Sequence, residues 1–86
     1  QAFYRRLREI KLARRDIARD LHVLAELVAD AQRAVRRLID RAPRGEDTSM
    51  EEEALRLLLA ARTSAEVIAG EYAAFARRRI YYVEAA

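Results

Sequence analysis

The sequence reads as all-α: a long antiparallel helical hairpin, pairing with a second copy into a dimeric four-helix bundle. Three observations predict this. Apolar residues recur at alternating three- and four-residue steps along nearly the whole chain, the spacing of helix-on-helix packing. Eighteen Ala and sixteen Arg, both good helix formers, dominate the 86 residues, which hold only two Gly and one Pro. The single Pro and one of the Gly fall together in RAPRGEDTS, residues 41–49. One domain is expected, with helix 3–41, loop 42–48 and helix 49–84.

The first helix carries its seam on Phe3, Leu7, Ile10, Ile17, Leu21, Leu24, Val28, Ala31, Val35 and Leu38, and Arg14 fills the one missing position. Ala13, Ala18, Ala25, Leu27, Ala34 and Ile39 flank the seam. The apolar face is therefore wider than a two-stranded contact needs. Arg36, Arg37 and Arg41 sit in the last turns, where the helix dipole favours positive charge.

In the loop, Pro43 and Gly45 stop a helix, and Asp47, Thr48 and Ser49 can start the next. Both Thr48-x-x-Glu51 and Ser49-x-x-Glu52 fit a capping box, and Glu51, Glu52 and Glu53 suit the dipole of a first turn.

The second helix repeats the seam with Ala54, Leu58, Ala61, Ala65, Ile68, Tyr72, Phe75 and Tyr82, and here Arg79 fills one position. A second stripe runs beside it through Leu55, Leu59, Ala69, Ala73, Ala76, Ile80 and Val83. The ladder of Ala61, Ala65, Ala69 and Ala73 lets another helix approach closely. Gly70 costs about 1 kcal/mol against Ala in a helix interior. It is either tolerated or marks a close approach of backbone or ligand. Helices of about 40 residues are rods of roughly 60 Å. Two such rods in one hairpin leave too much apolar surface wet, which is why a second copy or a protein partner is expected. The expected interface uses Leu21, Leu24, Val28, Ala61, Ala65, Ile68, Ala69, Ala73 and Phe75.

Charge and composition exclude several classes. The chain has no cysteine, so disulfides and thiolate metal sites are ruled out. No apolar run approaches membrane-spanning length, so no membrane partner is expected. Nothing resembles a signal peptide, and a cytoplasmic protein is the expectation. The net charge of +3 is too small to predict nucleic-acid binding by itself. The chain has a single histidine, His22, with Glu26 four residues on. That pair is half of a metal site at most, so no metal or cofactor is expected. No nucleophile or acid–base constellation suggests an enzyme.

The arginines are the one candidate site. Arg77, Arg78 and Arg79 fan over about 200° of a helix and cannot grip one phosphate together. Arg5, Arg6, Arg8, Arg15, Arg19, Arg77 and Arg78 form a candidate surface basic patch. Arg14 and Arg79 point into the seam near Tyr72 and Tyr82. A buried charge needs a partner. That partner is either a carboxylate such as Asp16, Asp20 or Glu71, or a bound anion or acidic ligand.

Residues 54–84 also resemble the last helix of PhoU-type phosphate-signalling regulators. Ala61-Arg62, Glu66, Ile68, Ala69, Ala76 and Tyr81 fall in step with that family's pattern. Gly70 stands where the family has a metal-binding Asp, Glu71 replaces its His, and Arg77 replaces the following Glu. The family's three-helix repeat does not map onto one long first helix. The resemblance therefore implies a regulator with a degenerate metal motif.

The sequence favours a non-enzymatic oligomerisation or protein-interaction module. The uniform agreement of its local signals is also what a designed helical bundle would show. The alternatives are an anion, acidic-ligand or nucleic-acid binder using the arginine-rich end, and a degenerate PhoU-like regulator.

Overall fold

The computed structural model describes residues 2–77. It contains two helices, α1 (Ala2–Arg41) and α2 (Ser49–Arg77), packed along their lengths as a hairpin. The remainder of the second expected helix, residues 78–84, lies outside the described residues. Among the described residues there is no strand.

The turn follows from its residues. Ala42 donates its amide to the Ile39 carbonyl (3.3 Å), closing the last turn of α1. Glu46 donates to the Pro43 carbonyl (3.0 Å), so residues 43–46 form a β-turn. Its third residue, Gly45, has φ +91°, a conformation that costs glycine nothing and an L side chain dearly. The next helix starts on two bonds. Glu52 donates to the Thr48 carbonyl (3.0 Å), and the Ser49 amide donates to Oδ1 of Asp47 (2.9 Å). The capping side chain is thus Asp47, one of the three start residues in the sequence. Neither capping-box glutamate supplies it. The Ser49 amide also holds the Asp47 carboxyl below its ordinary pKa.

The helices meet along a narrow line of small residues. The buried residues among those described are Ala25, Ala29, Ala65, Ala69 and Ala76, all alanines. Half-buried Leu7, Arg14, Leu21, Val28 and Val35 continue this line on α1, alternating with Lys11, Ala18, Gln32 and Ile39. On α2 the same role falls to Leu55, Leu58 and Tyr72.

The seams read from the sequence are therefore split. Every second member (Leu7, Leu21, Val28, Val35; Leu58, Ala65, Tyr72) faces the sister helix. Of the members between them, Ile10, Ile17, Leu24, Leu38, Ala61, Ile68 and Phe75 are exposed, while the small Ala31 and Ala54 are half-buried. The physical reason lies in residue size. A helix apolar over so wide an arc can turn either flank inward. Here the flank carrying alanines goes inside, because small side chains let the two backbones approach closely. The larger side chains are left on the rim.

The outcome is a rod of 69 × 15 × 14 Å with a radius of gyration of 19.9 Å. A compact domain of this length has a radius of gyration of about 12 Å. The accessible surface is 7091 Å² for a 9.9 kDa chain. A compact monomer of that mass exposes about 5,200 Å².

Candidate functional site

The two long sides of the hairpin differ in chemistry. One groove between the helices is lined by His22, Glu26, Asp30, Arg33, Arg62 and Glu66, with Ala25 and Ala29 at its floor. Its charges pair locally. His22 Nε2 lies 3.5 Å from Glu26, Arg62 Nε donates to Glu66 (3.2 Å), and Arg33 pairs with Asp30. Further along, Arg19 sits 3.5 Å from Asp16 and 3.6 Å from Asp20. On the outside of α2, Arg56 donates through Nε to Glu53 (3.1 Å). That hydrogen bond holds the Glu53 carboxyl below its ordinary pKa and raises that of Arg56. These pairs lie within single helices on solvent-facing positions, so they support helicity more than tertiary structure.

The opposite groove contains Arg14, Glu71, Tyr72 and Phe75. Residues three or four apart share a helix face, so this groove is bordered on α1 by Ile10, Ile17, Leu24 and Leu38, with Leu27 beside them. On α2 it is bordered by Met50, Leu57, Ile68 and Phe75. All of these are exposed: Leu27 59 %, Leu57 53 %, Leu38 51 %, Leu24 48 % and Phe75 42 %. With Phe3, ten of the fifteen exposed large hydrophobic residues among those described lie on this one side. Their spacing on α1 (10, 13, 17, then 24, 27, 31, 34, 38) is itself a heptad stripe, interrupted only by Asp20. Among the described residues this side, rather than the arginines, is the most unusual surface feature.

The arginines divide as follows. Arg5, Arg6, Arg8, Arg15, Arg19 and Arg77 are exposed, and Arg78 lies outside the described residues. Arg14 is half-buried at the helix contact, with its guanidinium over the Phe75 ring, 5.1 Å from the centroid. A cation over an aromatic face is a favourable way to hold a charge at the edge of a core. Tyr72 borders the same groove, while Arg79 and Tyr82 lie outside the described residues. Asp16 and Asp20, proposed as partners of Arg14, pair instead with Arg19.

Of the expected interface residues, Ala65 and Ala69 are buried between the helices, and Leu21, Val28 and Ala73 are half-buried. Leu24, Ala61, Ile68 and Phe75 are exposed, on the apolar side. Sequence reasoning did not separate these two sets. The available signal was the alanine spacing at 18, 25, 65, 69 and 76, which marks the close contact. A Cβ added at Gly70 would meet nothing within 4 Å, so no neighbouring backbone explains that glycine. Among the described residues no group of three metal-ligating side chains occurs, and no helix is long and apolar enough to cross a membrane.

Comparison of the chain with protein-family models, with curated proteins and with solved structures finds no match.

Proposed function

We propose that this chain is a non-enzymatic self-association module. Two hairpins pair through their apolar sides into a dimeric four-helix bundle, which can present fused or bound segments at a fixed spacing. One observation carries the reading: among the described residues nothing larger than alanine is buried, while ten of the fifteen exposed large apolar side chains line one side.

The area supports it. The hairpin exposes about 1,900 Å² more than a compact monomer of its mass. Two chains together exceed two compact monomers by about 3,800 Å², a surplus of the size that obligate homodimers bury, roughly 2,000–5,000 Å². The geometry supports it too. Two hairpins, each apolar on one side, close into a four-helix bundle with polar outer sides.

Thermal unfolding at two protein concentrations tests the proposal. A folded dimer gains stability by mass action, so its melting temperature rises when concentration is raised about a hundredfold. A melting temperature independent of concentration would contradict it.

A further inference from the structure

We infer that the second copy packs antiparallel, end over end, with the turn of one hairpin beside the open end of its partner and a two-fold axis near Leu24. This orientation rests on the self-association proposed above and adds to it which surfaces meet.

Charge along the rod is the first argument. The open end, residues 2–15 and 75–77, holds seven basic groups and one acid, Glu9. The turn end, residues 36–54, holds four basic groups and six acids. A parallel dimer places the two basic ends side by side. An antiparallel dimer places each basic end beside an acidic one. Few of these charges stand on the apolar side itself, so they act through the field of each end, which orients the approach of the two copies.

Side-chain size is the second argument. Arg14 over Phe75 fixes the level of the two helices, so residues whose numbers sum to about 89 lie side by side. On the apolar side the open half then carries Ile10, Ile17, Ile68 and Phe75. The turn half carries Ala31, Ala34, Ala54 and Ala61 between its leucines. Parallel pairing sets aromatic and isoleucine layers against themselves and leaves alanine layers facing each other across a gap. End-over-end pairing sets Ile17 level with Ala31, and Phe75 level with Ala34 and Ala54, large against small as a close-packed core requires.

The chain has no cysteine, so single engineered cysteines report only on themselves. Ile10→Cys and Leu38→Cys are equidistant from Leu24 along α1, and both positions are exposed in the hairpin. Each variant is first checked by sedimentation. Monomers at every concentration would overturn the self-association itself, independently of its orientation. Given dimers, the variants are treated with a short bismaleimide, alone and as an exchanged mixture of two tagged forms. Antiparallel packing predicts a mixed Ile10→Cys/Leu38→Cys product, little product from either variant alone, and efficient self-linking of Leu24→Cys. Efficient self-linking of Ile10→Cys and Leu38→Cys separately, with no excess of the mixed product, would overturn the orientation while leaving the dimer intact. Dimers in which Leu24→Cys fails to self-link would overturn the position of the axis.

Discussion

Asp47 shows how much one side chain decides in this chain. It turns the second helix on by accepting the Ser49 amide, and its carboxyl is held below its ordinary pKa by that bond. The depressed pKa means that the contribution is complete above the unfolded carboxyl pKa and is lost as pH falls through the folded value. Acidification below about pH 4 should therefore lower the melting temperature. Asp47→Ala should lower it already at neutral pH. Asp47→Asn should keep most of the cap but remove this part of the acid dependence. Melting curves followed by circular dichroism across this pH range check all three outcomes. The sequence placed Asp47 at the start of the helix, but two capping boxes competed with it, and only the backbone path after Gly45 decides among them. Gly70 is the second informative position. It sits inside α2 with open space where a Cβ would go. Gly70→Ala should stabilise the protein by about 1 kcal/mol, read as a higher denaturant midpoint with an unchanged slope.

The helices themselves were legible from periodicity, capping residues and the single Pro–Gly break, because these signals are local. Which arc of each helix faces the other was not. Both helices are apolar over more than one arc, and heptad spacing alone does not rank one arc above its neighbour. The choice depends on the closeness of approach that Ala25, Ala29, Ala65 and Ala69 permit, which is a property of the pair. The two arcs should respond differently to substitution. Ala69→Leu forces bulk into the close contact and should destabilise the hairpin by about 1–3 kcal/mol in denaturant titrations. Leu24→Glu is on the exposed arc and should leave the helical circular-dichroism signal intact at high concentration. It should weaken self-association by about a hundredfold or more, since a charge placed near the dimer axis costs at least about 3 kcal/mol. Equal self-association of Leu24→Glu and the unmodified chain, read by sedimentation equilibrium, would show that this arc is not the interface.

For the molecule as a whole, the described residues of the 69 Å rod bury only alanines, which gives the hairpin little to hold it closed. At the arginine-rich end, Arg5, Arg6, Arg8, Arg15 and Arg77 are exposed. In the hairpin, Arg14 is settled over Phe75, and Arg19 is engaged by two aspartates. The apolar side is a feature that a monomer does not explain. Its extent was foreshadowed by the count of apolar positions. Its concentration on one side follows from the antiparallel geometry, which brings matching flanks of α1 and α2 together, and no single-helix pattern contains that. Native mass spectrometry of the purified chain is the measurement to make first, because it reports subunit number and retained mass together. Twice the 9.9 kDa chain mass with no added ligand is the expected result. A stable species at the single-chain mass would contradict the dimer and leave the apolar side to a different partner.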